Sequence, residues 1–262
     1  MASIRDEPDT TCDRFLGGRI AVEQMKSGAH RAGLDAVLLA AALPQGATGE
    51  LTDLGAGVGV AGLAACALNS GLSLTLVDNN SDALRLAHRN AARAAEWIGD
   101  AAAVRIVEAD ITQTGPERRR AGLVPQSADF VISNPPYNEA ASTRASPHRD
   151  KAHAHVLSDS DLRAWIRTAI WLLRPKGEVL LIVRTSRLPL ALDAFGAGLG
   201  GISILPVQAR AKQAAMRVLI KGARGSRAPL RILPGLVMHG PAGSQFRPEC
   251  AAIFAGNERI LW

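Results

Sequence analysis

The 262-residue chain predicts an α/β fold, an open doubly wound sheet with helices on both faces. Three observations predict it. Short apolar, β-branched runs alternate with helix-length stretches along most of the sequence. A glycine-rich turn, Gly55, Gly57 and Gly59, follows one such run and leads into a helix. Another run, Phe130-Val131-Ile132, is stopped by Asn134-Pro135-Pro136-Tyr137. Two consecutive prolines deny both helix and ladder hydrogen bonds, so the chain leaves the sheet rigidly there.

The elements follow in order. Residues 1–18 read as a flexible polar tail, and 19–262 as a single domain. Asp35 stands either as the N-cap of an apolar helix reaching Leu43 or as a ligand residue. A strand ends near Leu54, and the glycine turn starts a helix to Asn69. Gly57, Gly59 and Gly62 also fit the G-x-G-x-x-G spacing, a weak signal alone. Leu74 to Val77 is a second strand ending at Asp78, an acid placed about 20 residues past the glycines, where such folds hold a ribose diol. A helix spans Asp82 to Ala95, and Val104 to Val107 is a third strand, followed by Asp110. Pro116 to Pro125 carries Arg118-Arg119-Arg120, read as a solvated loop, with RNA phosphate contact as the lesser alternative.

Phe130 to Ile132 is the fourth strand. Residues 138–158 carry Arg144, His148, Arg149, Lys151, His153 and His155 with little apolar periodicity, and read as a basic, substrate-facing loop. The histidines lack metal-site spacing. Trp165, Ile166, Ala169, Ile170 and Leu173 recur at helical spacing, and Pro175-Lys176-Gly177 is expected to end that helix. Trp165 and Trp171 are assigned to the core. Glu178 to Val183 is a fifth strand. A further helix ends near Phe195, two closing strands lie at 202–205 and 216–220, and Leu233 to Met238 is a last apolar run.

Composition narrows the function. A net charge of +6 and a pI near 9.8 suggest a polyanionic partner. The excess is carried by 25 Arg against 5 Lys in an alanine-rich chain, a bias that codon composition also produces. Aromatic residues at 4% argue against an extended stacking platform for single strands. No apolar run is long enough to span a membrane, and the polar N-terminus lacks a secretory h-region. Cys12, Cys66 and Cys250 form no metal or redox spacing, so a cytoplasmic setting with free thiols is expected.

Asn134-Pro135-Pro136-Tyr137 resembles the motif of class I S-adenosylmethionine-dependent amino-methyltransferases. Residues His30 to Ala40 and Asp53 to Gly57 extend the resemblance to the bacterial tRNA(Val) adenine-N6 methyltransferases, and Pro241 to Glu249 is also similar. The resemblance implies a Rossmann-like sheet of seven strands, the last antiparallel. It implies S-adenosylmethionine held by Asp53, Gly55, Ala56, Gly57, Asp78, Asn79, Asp110, Ile111 and Asn134. Catalysis would fall to Asn134, Pro135, Pro136 and Tyr137, with Arg144, Arg149 and Lys151 on the RNA and no metal. A tRNA would be the partner, and a monomer is the default. His30 and Asn138 stand where the family often has aromatics, which bears on the substrate. The rivals are a release-factor glutamine-N5 methyltransferase and other rRNA or DNA amino-methyltransferases. From different classes come a non-catalytic RNA-binding module and an NAD-dependent oxidoreductase, which explains the glycines but not the tetrapeptide.

Overall fold

The structure, a computed structural model, describes residues 9–26, 31–98, 103–136 and 158–262. Strands that are apolar at every position belong in a sheet covered on both faces. The inner stretches of β6 (Ala128–Ser133) and β7 (Leu173–Arg184), Val131–Ile132 and Val179–Val183, meet that condition. Side chains alternate across a strand. Ile132, Leu180 and Ile182 therefore enter one core layer, with α1 (Leu34–Ala41), α2 (Val60–Leu68) and α3 (Ser81–Ile98). Val131, Val179, Leu181 and Val183 enter the other, with α5 (Asp159–Leu172) and α6 (Leu188–Phe195).

The remaining strands of the sheet are β3 (Thr48–Leu54), β4 (Gly71–Asp78), β5 (Val104–Glu108), β8 (Leu199–Arg210), β9 (Arg217–Arg224), β10 (Arg231–Ile232) and β11 (Leu236–His239). Their order is β10-β8-β9-β7-β6-β3-β4-β5, with β11 also on β8. β3 to β7 pair in parallel, and β9 runs antiparallel to β7 and β8. The Rossmann-like sheet is present as β3 to β9, and β10 and β11 lengthen its edge beyond the expected seven strands. The chain moves outward from β3 to β4 and β5, then returns to place β6 on the other side of β3. That reversal is the topological switch point, where open α/β sheets form a crevice.

Several expectations are corrected. Residues 10–18 are not a loose tail: β1 (Thr10–Phe15) and β2 (Ile20–Met25) form an antiparallel hairpin. Leu16, in its turn, is 1% exposed against the core. Only one face of β1 is covered, so its sequence reads as polar. Asp35 is not the N-cap of α1, which is Gly33; it sits in the first turn and pairs with Arg217 on β9 at 2.6 Å. Arg118 to Arg120 lie in α4 (Gly115–Arg120), whose start is closed by a Thr114–Glu117 capping box. Helix α5 ends at Leu172, before Pro175 is reached. Leu173 is already extended, and 175–177 lie inside β7, where Lys176 adopts φ +67° and the register against β6 shifts.

Candidate active site

The ends of β3 and β6 are register partners: Asp53 faces Ile132, and Leu54 faces Ser133. The glycine loop and Asn134 therefore leave the sheet side by side at the switch point. The loop is fixed by its backbone, with Gly55 and Ala56 N–H groups donating to the Val77 carbonyl at 2.8 and 3.0 Å. Gly55 and Gly57 have φ of +69° and +56°, where a side chain is strained. Their open sides differ. A Cβ on Gly55 would lie 2.4 Å from Trp165 Cζ2, whereas one on Gly57 meets nothing within 4 Å. The close approach expected of these glycines is available at Gly57; at Gly55 it is already taken by Trp165.

Asp78 ends β4. Its carboxylate accepts from the Gly57 N–H at 2.8 Å and the Asn80 N–H at 2.9 Å, while burial raises its pKa. Asn79 beside it is exposed. Asp53 turns inward. It is 2% exposed and accepts from the Gly62 N–H at 2.9 Å, holding the start of α2 beneath the loop. Burial pushes its pKa up to about 7, opposed by the Gly62 bond and aided by the charge of Asp78. After β5, Asp110 Oδ1 accepts from Thr112 N–H and Oγ1 at 2.9 and 2.7 Å. The Ile111 side chain is buried, and its carbonyl accepts from Thr168 Oγ1 at 2.6 Å.

Asn134 carries an unsatisfied acceptor at the crevice. Its Oδ1 is buried and has no hydrogen-bond partner among the described residues. Native buried acceptors are almost always paired, so this one marks a place for a donor from outside. Pro135 is buried and Pro136 partly so. Tyr137, Arg144, Arg149, Lys151 and the rest of the 138–157 stretch lie outside the described residues.

Three supporting residues escaped the sequence reading. Ser133 Oγ donates to the Leu54 carbonyl at 2.6 Å and accepts from Trp165 Nε1 at 2.9 Å, tying β6, β3 and α5 together one residue before Asn134. Trp165, assigned to the core, is thus also a wall of the site. Asn90 on α3 is fully buried. Its Oδ1 accepts from Glu23 N–H at 2.8 Å, and its Nδ2 donates to the carbonyls of Glu23 and Val58 at 3.0 Å, clamping the glycine loop to β2. A signal existed: Asn90 interrupts the apolar stripe Ala83, Ala87, Ala94, Ile98.

Residues 30–193 match the family described as methyltransferase small domain. The chain belongs to that family. It is a class I S-adenosylmethionine-dependent methyltransferase. It is similar to a structure from Agrobacterium tumefaciens described as a predicted O-methyltransferase, at 29% identity and a TM-score of 0.71, covering 86% of this chain and 98% of that one. A 16S rRNA N2 G1207 methyltransferase from Thermus thermophilus, in complex with AdoMet and guanosine, shares the fold at 16% identity and a TM-score of 0.55, over 82% of this chain and 50% of that one. So does an O-methyltransferase from Thermotoga maritima, at 14% identity and 0.53, over 78% and 69%. No curated protein matches.

The methyltransferase's residues fit its cofactor. A crevice at the switch point, an open glycine at Gly57, a carboxylate ending β4 and an orphaned acceptor at Asn134 suit a ligand with a ribose diol and a polar rim. Cys66 and Cys250 are buried free thiols, with Cys66 pushed up to about 12 by burial and then by the charge of Asp53. Among the described residues no group of three or more His, Cys, Asp or Glu gathers to hold a metal ion, and no helix is long and apolar enough to cross a membrane.

Proposed function

We infer that this methyltransferase transfers its methyl group to the exocyclic N6 amine of an adenosine in tRNA. The observation that carries this reading is the buried, unpartnered Oδ1 of Asn134 at the end of β6. An adenine amine is a poor nucleophile because its lone pair is delocalised into the ring. An acceptor fixed at Asn134 Oδ1, with the Pro135 carbonyl as a second, takes the two N–H hydrogens and draws the nitrogen toward sp³. The lone pair is then free to attack. Fixed dipoles of this kind stabilise the positive charge that develops on nitrogen in the transition state. S-adenosylmethionine, when bound, supplies an electrophilic methyl on a sulfonium: an N–C bond forms, the S–C bond breaks, and the nitrogen sheds its proton to water.

Asp78 is assigned to the ribose diol, since a carboxylate has lone pairs beyond those given to Gly57 and Asn80. Gly55, Ala56, Gly57 and Asn79 are assigned to the amino-acid and ribose end, Asp110 and Ile111 to the adenine, and Asp53 to bracing the loop. Tyr137 is assigned to stacking on the target base, and Arg144, Arg149 and Lys151 to the RNA. A hydroxyl acceptor is a poorer fit, because it needs a base. The carboxylates assigned to this site are engaged elsewhere: Asp53 is buried on the Gly62 N–H, Asp78 accepts from the Gly57 and Asn80 N–H groups, and Asp110 accepts from Thr112.

Purified protein incubated with labelled S-adenosylmethionine and unmodified tRNA is expected to yield N6-methyladenosine on nucleoside mass spectrometry. Methyl-glutamine in a release factor, with unmodified tRNA, would replace this reading by its rival. Asn134→Ala is expected to lose about 100-fold or more in kcat, with cofactor Kd changed by less than about tenfold. Parental turnover in that variant would remove the amine-gripping role.

A further inference from the structure

On the α5 face of the sheet a groove of about 560 Å³ runs between α4, α5 and the turn after α6, lined in part by Thr112, Arg118, Arg167, Trp171 and Arg224. Its charge is one-sided. Arg118 and Arg119 both stack on the Trp171 ring, at 4.7 and 5.5 Å from its centroid. Arg118 also donates to Thr168 Oγ1, and its buried Nε has no partner among the described residues. Burial lowers the Arg118 pKa, and the charges of Arg119 and Arg167 lower it further. Arg224 donates to the Ile170 and Leu173 carbonyls. Elsewhere arginines are neutralised, as Arg163 by Asp193, Arg174 by Asp129 and Arg217 by Asp35. No carboxylate pairs with Arg118, Arg119 or Arg167 among the described residues. The acid of that stretch, Glu117, is taken by the Thr114 cap.

Like charges held together without counter-charge cost stability unless an anion joins them. The Trp171 ring gathers two of them on one side chain, and Arg119 and Arg167 are exposed. We propose that this α4–α5 groove and its rim form a second RNA-contact surface, in which Arg167 from the groove lining and Arg119 beside the Trp171 ring bind backbone phosphates of the substrate RNA away from the reacting base. It deepens the RNA reading above and rests on it. The groove floor joins the site directly, because Thr168 hydrogen-bonds both Arg118 and the Ile111 carbonyl next to Asp110. Phosphate contacts of this type position an RNA without reading its sequence.

The test is the double variant Arg119→Ala/Arg167→Ala, neither residue belonging to the cofactor or amine site. The tRNA Kd is measured by fluorescence anisotropy over a salt series, beside calorimetry with S-adenosylmethionine. Each lost phosphate contact is expected to flatten the log Kd against log salt slope by about 0.7 to 0.9, so by roughly 1.5 for the pair, with tRNA affinity down about tenfold at low salt. Cofactor affinity and kcat at saturating tRNA should stay parental, with KM for tRNA raised. Arg119→Lys/Arg167→Lys, which keeps both charges, should restore most of the slope, and Arg85→Ala, whose partner is Asp82 on α3, should leave it unchanged. A parental slope in the double variant, or a parent that binds an acidic protein but no RNA, overturns the proposal. If the parent methylates tRNA and the variant matches it, only the groove falls. If tRNA binds through the groove and is not methylated, only the amine reading falls.

Discussion

Asp53 shows how one residue sets a pH dependence for the whole fold. Its carboxylate is enclosed, and burial raises its pKa from 3.8 to about 7. A raised carboxylate pKa means the folded state favours the protonated form. That contribution is fully present below 3.8 and is lost as pH rises through about 7. At about 1.4 kcal/mol per pH unit between those values, ionisation costs the fold on the order of 4 kcal/mol at pH 8. Asp53→Asn keeps an acceptor for the Gly62 N–H and removes the charge, though its new amide donor must find a partner at about 1–3 kcal/mol. The variant is expected to melt about 5 °C above the parent at pH 8 and close to it at pH 5. A stabilisation equal at both pH values would show that charge burial is not the cause. The resemblance implied a cofactor contact for Asp53, but its inward turn was not legible, because the side chain's partner, Gly62, is decided by how α2 docks.

The glycine loop and its supports act together as an element. Gly55→Ala carries two penalties, a strained φ and a collision with Trp165 that would pull Nε1 off Ser133. A loss of about 3 kcal/mol, or roughly 5–10 °C in Tm, is expected. Gly57→Ala carries only the strain, about 1 kcal/mol, because its open side meets no atom. Its Tm should barely move while S-adenosylmethionine affinity falls at least about tenfold. If Gly57→Ala melts early and Gly55→Ala loses only affinity, the two roles have been assigned the wrong way round. The sequence marks both as glycines of one loop, and nothing local separates them. The hairpin β1–β2 was missed for a related reason: its apolar contacts, such as Leu16 against the core, are made with residues far along the chain.

At the scale of the molecule, binding and folding are linked. A cofactor that binds only the folded chain stabilises it by about 2.7 kcal/mol at 100 times its Kd. Saturating S-adenosylmethionine is therefore expected to raise Tm by about 5–10 °C, and NAD at the same concentration is expected to leave it unchanged. The reverse result would favour the oxidoreductase that Gly57, Gly59 and Gly62 also allow.

What the sequence by itself determined is what acts within a few residues. Apolar strand centres, a stop written by Pro135-Pro136, a glycine turn and an acid ending β4 follow from residue type over a few positions, and the structure has them where the sequence puts them. The tertiary structure alone decided which of these meet. The return of β6 to the far side of β3 brings Asn134 beside the glycine loop, Trp165 lies over Gly55, and Arg118 and Arg119 share the ring of Trp171. A proline or a glycine limits its own backbone wherever it sits, whereas a side chain's partners depend on the packing of segments distant in sequence.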